Sequence, residues 1–177
     1  MDRVLSGDPA AHDLLIDRHY KTAISGAYSV VRDIEAARDC AQETFLEVKR
    51  RLHTLREKSR FASWIFNIAR QQAILIVRRQ KLHREAMQSK TNESKSVIPI
   101  KSPQEQMGKS EQHEAIRRAL YQINEIYREV LILKYIDSRS HEDIAKILNI
   151  SMAAVDKRLM RGKDLLRESL RRWKDEA

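Results

Sequence analysis

The sequence predicts an all-α protein, two small helical domains joined by a flexible linker. Three observations lead there. Apolar residues recur at three- and four-residue spacing through most of the chain, with few β-branched alternations. Between Ala86 and Ser110 the composition shifts to five serines, Pro99, Pro103 and Gly108, with only Val97, Ile98, Ile100 and two methionines as sizeable apolar content. Such a stretch buries too little surface to offset its ordering entropy. Each flank carries its own capping signals and apolar stripes, and a core becomes practical near ~60 residues. The expected division is therefore 1–85, a linker at 86–110, and 111–177.

In the first domain, Asp8-Pro9 places a capping residue before a proline at the first helical position, opening a helix that runs toward His19. A second helix, 20–31, sets Ala23, Ile24, Ala27 and Val31 on one stripe. Asp33 caps a long third helix with Ala37, Cys40, Ala41, Thr44, Phe45, Val48 and Leu52 facing inward. After a polar loop, helix 61–81 aligns Phe61, Trp64, Ile65, Ile68, Ala69, Gln72, Leu75 and Ile76 and completes a four-helix unit. Its opposite side carries Phe66, Ala73, Ile74 and Val77 around Arg70. Those residues need a partner, either within their own bundle or on another protein or the second domain.

In the second domain, helices 112–122 and 125–136 form a platform with Ile116, Leu120, Ile123, Val130, Leu131 and Leu133. Ser140 and Asp143 form a capping box for a helix whose Ile144, Ala145 and Leu148 point inward. Asn149-Ile150 makes a turn and Ser151 caps the last helix, with Met152, Val155, Leu159, Gly162 and Leu166 as its core stripe. Opposite lie Ala153, Ala154, Lys157, Arg158 and Arg161. This is a helix-turn-helix pattern whose second helix suits a DNA major groove: small residues permit close approach and long cations reach base edges or phosphates. A solvated, charged bundle end is the competing reading.

The balance of 34 Lys+Arg against 25 Asp+Glu, a formal charge of +9, favours a polyanionic partner, nucleic acid ahead of an anionic membrane. Lys49, Arg50, Arg51, Arg56, Lys58 and Arg60 cluster in the first domain, and Phe61 and Trp64 follow directly, either to stack on unpaired bases or to fill a core. The longest apolar run, Ala73 to Val77, is far short of the ~20 residues that span a bilayer, and MDRVLSGD has no signal-peptide pattern. A cytoplasmic protein with no membrane insertion is expected. Cys40 is the only cysteine, excluding an internal disulfide, and the six histidines are too dispersed for a zinc site. No phosphate-cradling glycine loop, nucleophile–base pair or carboxylate dyad stands out, so neither an enzyme nor a cofactor is expected.

Three stretches together resemble the sigma factors of the sigma-70 superfamily, in the extracytoplasmic-function group that keeps only regions 2 and 4. They are ARDCAQETFLEV (37–48), FASWIFNIARQQA (61–73) and YREVLILKYIDSRSHEDIAKILNISMAAVDKRLMRGKDLL (127–166). The resemblance covers nearly the whole chain. It implies a bacterial, cytoplasmic transcription-initiation factor that binds core RNA polymerase at the β′ clamp and β flap, recognises promoter DNA and promotes open-complex formation. It also implies control by an anti-sigma factor.

By position, Asp39, Gln42, Glu43 and Leu46 would contact core polymerase, with Arg38 standing where the family usually has an acid. The loop from His53 to Ser59 and the following helix would meet the −10 element, through Arg56, Lys58, Arg60, Phe61, Trp64, Asn67, Arg70, Arg78 and Arg79. Gln71 and Leu75 make that face less polar than in the family. Ala153, Ala154, Asp156, Lys157, Arg158 and Arg161 would meet the −35 element, Asp156 replacing a frequent lysine. The alternatives are a stand-alone helix-turn-helix regulator, which leaves the first domain unexplained, and a decoy that occupies polymerase without reading promoters.

Overall fold

The computed structural model describes residues 1–88 and 111–176. Apart from residues 86–88, which are helical, the predicted linker and its Val97–Ile98–Ile100 trio lie outside the described residues. The described residues form eight α-helices and no strand: α1 (Asp2–Leu5), α2 (Pro9–Val31), α3 (Ile34–Arg51), α4 (Phe61–Gln88), α5 (Glu111–Gln122), α6 (Glu125–Tyr135), α7 (His141–Leu148) and α8 (Met152–Glu176). Two 3₁₀ turns, Leu52–Thr54 and Lys58–Arg60, join α3 to α4. The all-α class is as expected.

The predicted caps are in place. Asp8 accepts from the Ala11 N–H at 3.2 Å and Asp33 from that of Ala36 at 2.8 Å. Ser140 accepts from the Asp143 N–H at 3.0 Å and Ser151 from that of Ala154 at 3.2 Å. Each satisfies a helix-end donor, worth ~1 kcal/mol.

Several expectations need correction. No break occurs at His19–Tyr20; α2 is one helix of 23 residues, because no proline, glycine or capping residue interrupts it there. The first unit therefore has three long helices and the short α1, which is followed by a turn through Gly7 at φ 85 and tied back by an Arg3–Asp8 pair at 2.7 Å. The last of these, α4, continues past residue 81 to Gln88, supported by Lys81–Glu85 at 3.8 Å. Leu75 is 44% exposed: it points the same way as buried Ile68, two turns further along α4, where no neighbouring helix covers it. Ile116 is also exposed, as is Met152, the first residue of α8.

The core explains the close approach of α2 and α4. Ala23, Gly26 and Ala27 on α2 meet Ala69 and Ala73 on α4, so the two backbones nearly touch. A Cβ at Gly26 would stand 2.5 Å from the Phe66 carbonyl oxygen. Cys40, Phe45 and Val48 of α3 close this cluster, and Ile132 of α6 joins it from the other half of the chain. A second cluster gathers Val130, Leu131, Ile144, Ile147, Val155 and Leu159, together with Phe66 of α4.

Candidate nucleic-acid interface

The helix-turn-helix is built from α7 and α8. Asn149 adopts a left-handed φ of 53 and ends α7, and the Ile150 N–H returns to the Ala145 carbonyl at 3.0 Å. Buried Ile144 and Ile147 pack on Val155 and Leu159. Gly162 lets α8 lie against α6, since a Cβ there would stand 3.2 Å from the Leu131 side chain. The outer face of α8 then presents exposed Ala153, Asp156, Lys157 and Arg161, with Ala154 and Arg158 half-buried. Among the described residues no carboxylate pairs with Lys157 or Arg161, so both cations remain available to phosphate or base edges.

On α3 the four residues expected at core polymerase, Asp39, Gln42, Glu43 and Leu46, are all exposed and lie on one stripe at spacings of three and four. Leu46 is 52% exposed, a large apolar side chain at a position open to a partner. The neighbouring Arg38 guanidinium is held by Glu35 at 2.7 Å. Cys40, one residue past Asp39, points the other way into the core, and burial raises its thiol pKa.

Between α3 and α4, Arg56, Lys58 and Arg60 are exposed, Arg60 pairing with Glu57 at 2.7 Å. Phe61 requires a correction. It is 3% exposed, with His19 edge-on at 4.7 Å and Trp64 at 5.9 Å, so its ring packs the core and offers no face to a base. Trp64 is half-buried against the same cluster. Asn67 is exposed, its amide donating to the Ser63 carbonyl at 2.9 Å, and Arg78 and Arg79 are exposed further along α4.

Arg70 is engaged elsewhere. Its Nε donates to Glu125 at 2.8 Å and lies 3.0 Å from the Glu129 carboxylate, both on α6. This pairing belongs to a continuous contact between the halves of the chain. Phe66, 1% exposed, inserts into the second cluster, and the Ser63 hydroxyl donates to the Ile147 carbonyl at 2.7 Å. Thr22 of α2 donates to buried Asp137 at 3.0 Å, which also accepts from Arg139 at 2.9 Å. Arg128, itself buried, donates to the Ser29 carbonyl at 3.0 Å, and the Arg32 guanidinium sits 5.7 Å over the Tyr121 ring.

Burial pushes the Glu129 carboxyl pKa up, with Arg70 pulling against it, and lowers that of Arg128. His19, lodged at the same junction, has its pKa lowered to about 4 by burial and then by Arg139 and Arg18. The partner of the second α4 stripe is thereby decided: Ala73 packs within its own bundle, whereas Phe66 belongs to the other half. Sequence reasoning passed over Thr22, Glu125, Glu129, Asp137 and Arg139, because polar residues scattered over helix faces carry no pattern that announces a distant partner.

Two family models match this chain: Sigma-70 region 2 over residues 15–83 and Sigma-70 region 4 over 113–166. Together they span more than half of it. The chain belongs to the sigma-70 family, in its extracytoplasmic-function group. It is similar to the ECF RNA polymerase sigma factor SigW of Bacillus subtilis, 28% identical over 175 residues that cover 96% of this chain and 94% of the relative. The RNA polymerase sigma-H factor of Pseudomonas aeruginosa is 27% identical over 176 residues, covering 96% and 91%.

Among solved structures, the Bartonella quintana sigma factor RpoE, in complex with the anti-sigma factor NepR, shares the fold at a TM-score of 0.59 and 22% identity, over 90% of this chain and 96% of that one. CnrH, in complex with the cytosolic domain of CnrY, shares it at 0.61 and 22%, over 93% and 90%.

The protein functions as an RNA polymerase sigma factor. Sigma region 2 falls on α2–α4 and region 4 on α5–α8, so the exposed α8 face lies in region 4 and the α3 stripe in region 2. Among the described residues no His, Cys, Asp and Glu group is arranged to hold a metal, and no helix of this sigma factor is long and apolar enough to cross a membrane.

Proposed function

We propose that this sigma factor mounts on core RNA polymerase through the Asp39–Gln42–Glu43–Leu46 stripe on the β′ clamp, with region 4 meeting the β flap. Residues 1–85 and 111–177 act as the two working units and 86–110 as their tether. Once mounted, α8 lies in the −35 major groove with Lys157, Arg158 and Arg161, while Arg56, Lys58 and Arg60 and the Asn67–Arg70–Arg78–Arg79 face of α4 follow the −10 element. Capture of bases that unstack there offsets an unpairing cost of a few kcal/mol per base. The chain works in the cytoplasm and makes or breaks no covalent bond; it supplies placement, and the polymerase supplies chemistry.

One observation carries this reading over a stand-alone regulator: region 4 covers the Ser63–Phe66–Arg70 side of α4, while α8 and the α3 stripe stay open. A chain closed in this way reads a −10 element only after its halves are drawn apart, and a polymerase that binds each half at a separate place does that. An anti-sigma factor, as in the Bartonella complex, fits the same scheme if it holds the halves together.

The deciding experiment is reconstitution with purified core enzyme and run-off transcription on a promoter library. Stoichiometric co-purification and start sites sharing two spaced elements are expected. Tight binding to duplex DNA without polymerase, and no co-purification, would return the chain to the class of independent regulators. Co-purification with no promoter-dependent starts would make it a decoy.

A further inference from the structure

The N-cap and first turn of α7 carry four consecutive polar residues, Ser140 to Asp143, and three of them find partners within this segment. Ser140 and Asp143 bond each other at 2.8 Å between hydroxyl and carboxylate, and Glu142 reaches Lys146 at 2.7 Å. His141 does not. Its Nδ1 crosses to the recognition helix and lies 2.7 Å from Oδ1 of Asp156.

Asp156 has no counter-ion on α8 itself, because Met152, Ala153, Leu159 and Met160 occupy the positions three and four residues away. The imidazole is therefore what orients this carboxylate. Both side chains face outward, His141 at 37% and Asp156 at 60% exposure, on the side of the helix-turn-helix where Ala153 and Lys157 are also exposed. With Oδ1 engaged, Oδ2 keeps its lone pairs for a ligand.

We propose that His141 is a positioning residue for base recognition: it donates from Nδ1 to Asp156 and aims the free carboxylate oxygen at the N4 amino group of a cytosine in the −35 element. The carboxylate is an acceptor that the groove edge must answer with a donor, which cytosine presents with no acceptor on its own edge. Adenine also presents a donor, but its N7 acceptor stands beside it and repels a carboxylate; guanine and thymine present acceptors. The histidine has a second effect, since its N–H shares the carboxylate's charge and reduces its repulsion of the flanking phosphates. Arg and Lys at 157, 158 and 161 supply affinity, and the His141–Asp156 pair supplies discrimination at one base pair.

The inference rests on α8 reading the −35 element, and its test separates the two. Reconstituted holoenzyme is offered a promoter library randomised across the −35 element, and selected sequences are counted for the parent chain, D156A, H141A, H141N and K157A. The parent is expected to prefer cytosine at one pair, and D156A and H141A each to lose that preference by ~5- to 50-fold there. H141N, whose amide stands near the Nδ1 position, should keep most of it. Substituting both residues should do no more than D156A alone.

Equal cytosine preference in H141A and H141N, or retention of it in D156A, overturns the proposal. K157A is the control for the underlying reading and should weaken −35 use across all sequences without changing that one preference. If K157A leaves −35 use intact, α8 is not the reader, and the failure lies there rather than with His141.

Discussion

At Gly26 a single missing Cβ decides how closely α2 and α4 pack, since the added atom would meet the Phe66 backbone oxygen, which has no rotamer to escape into. Gly26→Ala is expected to cost ~1–3 kcal/mol of stability, read from the urea midpoint, although alanine is the better helix former. Arg38 acts on binding instead of folding. It is exposed beside the polymerase stripe and compensated only by Glu35. Arg38→Glu is expected to tighten core polymerase binding by ~2- to 5-fold at low salt, with the gain fading as salt rises, as exposed charges of this kind contribute up to ~1 kcal/mol. Competition binding with labelled core enzyme checks it; unchanged or weaker affinity removes Arg38 from the contact.

The geometry of the α7–α8 corner depends on Asn149 holding a left-handed φ of 53. Asn149→Gly should be tolerated to within ~0.5 kcal/mol, whereas Asn149→Val should lose ~1–2 kcal/mol and weaken −35 binding with it, measured by denaturation and by binding of a −35 duplex to holoenzyme. Elements of this kind were legible in advance. Asp8, Asp33, Ser140 and Ser151 announce their helices because a cap and its target lie three residues apart. The misreadings came where local rules are silent: nothing at His19–Tyr20 breaks α2, and nothing in residues 82–88 stops α4. Phe61 shows the same limit for the site, because an aromatic residue beside cations looks alike whether it stacks on a base or on His19.

Across the whole molecule, Glu125 and Glu129 join the halves by pairing with Arg70, and Asp137 does so by accepting from Thr22. Replacing Glu125 and Glu129 together by glutamine should enlarge the free protein in small-angle scattering. It should also raise its affinity for a single-stranded −10 oligonucleotide several-fold, because Arg70 is released; an unchanged radius and affinity would show that these carboxylates do not hold the closed form. Acid should act in the same direction through His19. Its pKa in the folded chain, about 4, lies below its ordinary 6.5, so its contribution is fully present above about pH 6.5 and is lost as pH falls toward 4. The incoming charge faces Arg139 and Arg18. His19→Gln should flatten the loss of closed-form stability between pH 6.5 and 4, followed by scattering and by denaturation.

From the sequence alone come the helical class, the capped starts of four helices, the basic recognition helix and the family, all carried by residues within a few positions of each other. Which face of α4 meets region 4, that Arg70 pairs with acids more than fifty residues away, and that Phe66 fills the other half's core were decided only in three dimensions. The reason is physical: caps and periodicity act within one or two helical turns, whereas the choice among several apolar and charged faces depends on which of them can be buried together with every polar group satisfied.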